Sequence, residues 1–177
     1  MIISNWKPSN KDICCLIVLD RDGTLIHDAG YVHKVEELEF IPGVIEAMQL
    51  AQNHKALIYI VTNQGGIGLE KFNLDQYLIF NEAFIEKLES ENISIDCVIA
   101  CPHHQNSNKR IFRDCECRKP KSEMLKLAMK LSGVNQEKVA VFGDSERDLI
   151  MAKNLEVASF SVKNNLRDQI QTWIENH

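Results

Sequence analysis

The 177-residue sequence has no long apolar run, no repeat, no low-complexity tract and no Pro-, Gly- or Ser-rich linker. The longest uninterrupted apolar stretch, Ile13 to Leu19, has seven residues, whereas a helix crossing a bilayer needs about 20. That stretch leads into Asp20-Arg21-Asp22 rather than a small-residue cleavage site. It does not read as a secretory leader, and a cytoplasmic protein is expected. With no linker or repeat, one domain over residues 1–177 is expected. A large excess of either charge is missing as well, since 20 Lys and Arg stand against 25 Asp and Glu for a net charge of −5. That mild acidity does not suit a general nucleic-acid binder or a membrane-surface protein.

What is present is 45% apolar and 25% charged, an ordinary balance for a soluble globular domain. The charge is unevenly spread. Residues 102–121 hold Lys109, Arg110, Arg113, Arg118, Lys119 and Lys121 against Asp114 and Glu116. This stretch is therefore +4 and the remainder −9. Cys101, Cys115 and Cys117 fall in or beside it. The pattern is that of an acidic body with one local site for something anionic.

Apolar runs of strand length recur at Ile13–Asp20, Ala56–Asn63, Asp96–Cys101 and Lys138–Asp144, with a weaker one at Ala158–Val162. Near-continuous apolar runs suit strands buried on both faces of a parallel sheet. Helical spacing lies between them. Pro42 precedes Val44, Ala47, Met48 and Ala51, and Asn73 with Gln76 opens a stripe of Tyr77, Phe80, Phe84 and Leu88. Pro120 is expected to begin a third helix carrying Met124, Leu127, Ala128 and Leu131, closed by Gly133. Two more are expected near 146–154 and 166–174. The alternation predicts a doubly wound, Rossmann-like α/β fold, a parallel sheet of about five strands with helices on both faces. Sites in such sheets lie beyond the carboxyl ends of the strands.

Those ends are chemically loaded. The first strand runs into Asp20-Arg21-Asp22-Gly23-Thr24, the second into Thr62-Asn63-Gln64, and the fourth into Gly143-Asp144-Ser145 with Asp148 one turn later. Capping and turn formation account for any one of these polar ends, but not for all three at one edge. Asp20, Asp22 and Asp144 together would repel a phosphate unless a divalent cation neutralised them, and Mg²⁺ takes such oxygen ligands. A carboxylate can attack phosphorus, and a second can move the proton. A calcium loop of EF-hand type is excluded by the early Gly23 and the flanking strand.

Cys101, His103, Cys115 and Cys117 supply the three thiolates and one imidazole of a closed structural zinc site. A disulfide is the competing reading, disfavoured by a reducing compartment and by the one-residue spacing of Cys115 and Cys117. Zinc would pin a loop over about 101–117 that presents Arg118 and Lys119. His104 is a rival ligand or a substrate-facing group. Cys14, Cys15 and Cys97 lie in strand-like runs and read as buried small residues.

The motif series Asp20-Arg21-Asp22-Gly23-Thr24, Thr62-Asn63, Lys119 and Gly143-Asp144 with Asp148 resembles the haloacid dehalogenase superfamily of phosphotransferases over residues 12–160. The resemblance implies Asp20 as nucleophile and Asp22 as general acid/base. It implies Mg²⁺ held by Asp20, the Asp22 main-chain carbonyl and Asp144, with Asp148 supporting that site from behind. Thr62 and Asn63 would bind the transferring phosphoryl group, and Lys119 would neutralise its charge, with Arg118 a second phosphate ligand. The Cys-x-His…Cys-x-Cys insert followed by Arg118-Lys119-Pro120 is similar to the zinc-containing, capless branch that includes heptose 1,7-bisphosphate and histidinol-phosphate phosphatases. That branch implies a phosphomonoesterase of a small phosphorylated metabolite in sugar-phosphate and lipopolysaccharide-precursor metabolism; a monomer or weak oligomer is expected. Gly30-Tyr31-Val32-His33 and Cys101-Pro102-His103-His104 resemble the heptose enzymes more closely. Two places depart from them: Ser145 stands where a basic residue usually follows Asp144, and Leu69-Glu70 where an Arg-Gly pair is usual. A zinc ribbon binding nucleic acid is the non-enzymatic alternative, and the loop lacks the interleaved aromatics for it, with Phe112 alone.

Overall fold

Strand β2 (Leu16–Leu19) forms the centre of the molecule, with β3 (Leu57–Asn63) on one side and β5 (Val139–Gly143) on the other. In the computed structural model, which describes residues 1–6, 8, 13–162 and 165–176, a six-stranded sheet runs in the order β1 (Ile2–Ser4), β4 (Cys97–Cys101), β3, β2, β5 and β6 (Ala158–Ser161). Strand β4 (Cys97–Cys101) pairs parallel with β3, and β6 (Ala158–Ser161) parallel with β5. Leu16 stands opposite both Leu57 and Val139, so the strand ends come level at one edge.

The strands are continuous apolar runs because both faces are covered. Ile17, Leu19, Ile58, Ile60 and Phe142 pack with α1 (Val44–Asn53), α3 (Leu74–Ser90) and α6 (Leu166–Glu175). Leu16, Val18, Tyr59, Val61 and Val141 pack on the other face with α4 (Glu123–Ser132) and α5 (Glu146–Lys153). The stripes read from spacing are the buried ones: Val44, Ala47, Met48 and Ala51 in α1, and Tyr77, Phe80, Phe84 and Leu88 in α3. Asn73 and Gln76 form the expected reciprocal cap of α3 at 2.9 Å each. Gly133 ends α4 with φ +66°, a left-handed conformation that glycine adopts without penalty.

Three features correct the sequence reading. The sheet has six strands rather than five, because β1 (Ile2–Ser4) adds an antiparallel edge against β4. It is three residues long and only half covered, too short to show a period. Helix α4 starts at Glu123, with Ser122 in the N-cap position, instead of at Pro120. Residues 118–122 run as bend and turn before the helix, and the Pro120 carbonyl accepts from Asn154 Nδ2 at 3.3 Å. A one-turn helix, α2 (Gly65–Gly68), follows β3 directly.

Chain order sets the site. From β2 the chain builds outward through β3 and β4, then returns across to β5 and β6. Connections on either side of β2 and β5 thus leave in opposite directions, and a crevice opens at their carboxyl ends.

Candidate active site

Asp20 directly follows β2, and its N–H donates to Phe142 O at 3.0 Å, extending the pairing with β5 by one residue. The next residues turn sharply, with Leu25 N–H and Ile26 N–H both donating to Arg21 O at 2.9 and 3.1 Å. Gly23 has φ +86°, and a Cβ there would collide with the Asp144 carboxylate. The turn therefore needs glycine twice over: for its backbone and for the approach of Asp144.

Lys119 comes in from the cysteine loop with its side chain buried. Its Nζ lies 2.7 Å from Asp20 Oδ1 and 2.6 Å from Asp148 Oδ1, and donates to Val61 O at 2.9 Å. Asn63 clamps the Lys119 backbone, accepting its N–H at 3.1 Å and donating to its carbonyl at 3.2 Å. Burial works against the Lys119 charge, but Asp20 and Asp148 override it and hold its pKa above the ordinary lysine value. Burial also lifts the Asp20 carboxyl to about 7; Lys119 opposes this, while Asp148 and Asp22 add to it. Asp144 is raised as well, by burial and by Asp148.

Asp22 is held separately. Its Oδ1 receives Arg21 Nε and Nη2 at 3.2 and 2.9 Å, and its Oδ2 receives Thr62 Oγ1 at 3.1 Å and Gln64 Nε2 at 2.8 Å. Arg21 is buried, with its guanidinium 4.7 Å above the centre of the Phe80 ring. Asp148 is anchored from its other oxygen by the Ser145 hydroxyl at 2.6 Å.

Asp20, Asp22, Thr62, Asn63, Arg118 and Lys119 line one cavity of about 290 Å³. Asp144 lies outside its walls, on the side of Gly23 and Thr24. Oxygens of Asp20, Asp144 and Asp148 nevertheless fall within 4.8 Å of one another. Three carboxylates share one ammonium there, and this surplus of negative oxygen suits a divalent cation. Gln64, Arg21, Tyr31, Phe72 and Arg147 also belong to the site or its support but were not singled out from the sequence. For Gln64 there was a signal, a third polar residue in the strand-end run; for Arg147 there was none.

The second cluster forms where β4 ends. Cys101 Sγ lies 3.1 Å from Cys117 Sγ and 3.8 Å from Cys115 Sγ, and His103 Nδ1 is 3.3 Å from Cys117 Sγ and 3.6 Å from Cys101 Sγ. The four ligand atoms lie within 4.8 Å of one another, and all six cysteines are free. A tetrahedral ion with bonds of about 2.0–2.3 Å needs ligand atoms at this kind of separation. Cys117 is brought down to about 5, chiefly by its hydrogen bond with Cys101, while burial opposes; a depressed thiol is ready to bind as thiolate. The unassigned cations of this loop hold it together. Arg113 Nε donates to Ser107 O at 2.6 Å, Lys109 pairs with Glu70 at 2.7 Å, and Lys121 donates to Cys115 O at 2.6 Å.

A family model described as haloacid dehalogenase-like hydrolase matches residues 28–156. The chain belongs to the haloacid dehalogenase-like hydrolase family. Among curated proteins it is 38% identical over 141 residues to the D-glycero-beta-D-manno-heptose-1,7-bisphosphate 7-phosphatase of Pasteurella multocida, covering 80% of this chain and 77% of that one. To the Escherichia coli K12 protein of the same name it is 37% identical over 134 residues, covering 75% and 70%. Among solved structures, the D,D-heptose 1,7-bisphosphate phosphatase of B. bronchiseptica, complexed with magnesium and phosphate, aligns with TM-score 0.80 at 22% identity, over 92% of this chain and 99% of that one. At that identity the likeness shows a shared fold. Among the described residues, no helix is long and apolar enough to cross a membrane.

Proposed function

We propose that this hydrolase is a Mg²⁺-dependent phosphatase that forms an aspartyl-phosphate on Asp20 and acts on heptose 1,7-bisphosphate at its 7-phosphate. The observation that carries the chemistry is the pairing of two differently held carboxylates at one strand end. Asp20 touches a buried ammonium, and Asp22 is gripped by hydroxyl, amide and guanidinium donors. The choice of sugar is supported by relatives at 37–38% identity that carry that name.

Lys119 Nζ and the Arg21 N–H both engage Asp20 Oδ1, which leaves Oδ2 to attack phosphorus. As that bond forms, the bond from phosphorus to the sugar oxygen breaks, and Asp22 gives a proton to the departing alkoxide. Asp22 then takes a proton from the water that attacks the aspartyl-phosphate, and phosphate leaves with Asp20 restored. Lys119 balances the negative charge on the transferring group. Thr62 and Gln64 hold Asp22 in place for both proton transfers, and Asn63 holds the Lys119 backbone. Asp20, the Asp22 carbonyl and Asp144 would hold Mg²⁺, with Asp148 behind them, and the ion would neutralise charge between nucleophile and phosphate. Cys101, His103, Cys115 and Cys117 would hold a structural zinc that fixes the loop carrying Arg118 and Lys119.

The test is phosphate release from heptose 1,7-bisphosphate with and without Mg²⁺. Activity is expected only with Mg²⁺, and Asp20→Asn is expected to lower kcat by at least about 10³-fold. Full turnover in that variant would exclude the covalent mechanism.

A further inference from the structure

Behind Asp22, three buried polar atoms have no hydrogen-bond partner among the described residues: Arg21 Nη1, the Tyr77 hydroxyl and Asn81 Oδ1. All three residues are at most 3% exposed. Arg21 spends Nε and Nη2 on Asp22 Oδ1 at 3.2 and 2.9 Å, and the planar guanidinium then turns Nη1 away from that carboxylate. Its Cζ sits 4.7 Å above the centre of the Phe80 ring on α3. Tyr77 and Asn81 lie four residues apart on the same helix, on either side of Phe80 in sequence, and are neighbours on the helix surface.

Separate contacts bring these groups to one place. Asn81 Nδ2 donates to Ser4 Oγ of β1 at 3.2 Å, and Ser4 also acts on the Tyr77 hydroxyl. Burial pushes that hydroxyl up to about 12, with Arg21 opposing and Asp22 adding to the rise. Tyr77 thus senses both members of the Arg21–Asp22 pair and stays a neutral hydroxyl, able to donate and to accept. Its other neighbours are apolar, among them Ile67, Phe72 and Ala100, and offer it no partner.

A buried donor or acceptor left unmet is destabilising, and folded proteins meet such groups with protein or with ordered water. The set here is what one water can satisfy. Nη1 gives a hydrogen bond, Asn81 Oδ1 receives one, and the phenol does either. The consequence reaches the active site through Arg21, the cation paired with Asp22. A guanidinium fastened on its far side as well cannot swing, and it then holds the carboxyl in one orientation for both proton transfers.

We propose that one buried water bridges Arg21 Nη1, the Tyr77 hydroxyl and Asn81 Oδ1, so that Tyr77 and Asn81 are positioning residues that fix Arg21 and, through it, the Asp22 carboxyl. This rests on Asp22 as the proton donor in the phosphatase reading above. A crystal structure of the wild type is expected to show a water about 2.7–3.2 Å from all three atoms. The kinetic test compares kcat/KM for two esters in the Mg²⁺-loaded protein. The sugar alkoxide of heptose 1,7-bisphosphate needs a proton to depart, whereas the phenolate of p-nitrophenyl phosphate leaves without one. Tyr77→Phe and Asn81→Leu are each expected to lower kcat/KM by about 3–10-fold for the sugar ester and by less than about twofold for the aryl ester. A purely structural role would lower both alike. Tyr77→Phe keeps the ring in its apolar cluster, so it remains readable if Asn81→Leu fails to fold. The absence of a water joining the three atoms, equal losses on the two esters, or no loss on either would overturn the proposal and leave the phosphatase standing. A wild type that releases phosphate from neither ester would remove the phosphatase reading, and the role of Asp22 with it.

Discussion

Replacing Asp20, the proposed nucleophile, by asparagine is expected to make the Mg²⁺-free protein more stable at pH 8, and the gain should vanish near pH 4. Asp20 ordinarily titrates at 3.8 and is lifted to about 7 in the fold, first by burial, with Lys119 opposing. A carboxyl whose folded pKa lies above its unfolded value holds its proton more tightly when folded. Its contribution to stability is full below about 4 and is lost as pH rises through about 7. The shift is about three units, and each unit is worth about 1.4 kcal/mol, which sets a ceiling near 4 kcal/mol. Asparagine removes that penalty and leaves Lys119 paired with Asp148 at 2.6 Å, so no new charge is orphaned. For a chain of this length a gain of roughly 2–4 kcal/mol raises Tm by roughly 4–16 °C. The assay is thermal unfolding of both proteins from pH 4 to 8, in buffer freed of Mg²⁺ with zinc content checked. Adding Mg²⁺ at pH 8 should stabilise the wild type more than the variant and narrow the gap, since the ion binds the folded carboxylates. Equal Tm values at pH 8, or a gain that does not change with pH, would refute the account of Asp20 as a carboxylate held under electrostatic strain.

Lys119→Met should act in the opposite sense. It leaves Asp20 and Asp148 buried without their cation, and a loss of about 3–5 kcal/mol is expected in urea denaturation; a loss below about 1 kcal/mol would show the ion pairs to be incidental. Cys115→Ser is expected to release zinc that is otherwise near one per chain by metal analysis, and to lower Tm, whereas retained zinc would exclude Cys115 as a ligand. Gly23→Ala forces a side chain at φ +86° into the Asp144 carboxylate. It should abolish phosphatase activity while the far-UV circular dichroism stays native-like. Asn73→Ala removes one half of the reciprocal cap of α3 and should cost about 1 kcal/mol in chemical denaturation, with kcat unchanged.

Most of the sheet could be read in advance, because a strand buried on both faces must be apolar throughout and the chain marks its end with the first polar residue. Asp20, Thr62 and Asp144 are such residues, and rank order along the chain was enough to bring them to one edge. The helix stripes were legible for a similar reason, since one face of each is covered by the sheet. Strand β1 escaped because three residues paired at an edge carry no period. The roles of polar side chains were harder. Thr62 and Asn63 read as phosphate ligands and both line the cavity, but the further contacts of the Thr62 hydroxyl with Asp22 and of the Asn63 amide with the Lys119 backbone could not be read from spacing. Which carboxylate meets which cation depends on distances that sequence spacing does not encode. Lys119 is 99 residues from Asp20 and 29 from Asp148, yet it touches both. Arg147 shows the limit most sharply. An exposed arginine on a helix reads as solvated surface, and Arg147 joins the cavity wall only because α5 starts at the strand end that also delivers Asp144.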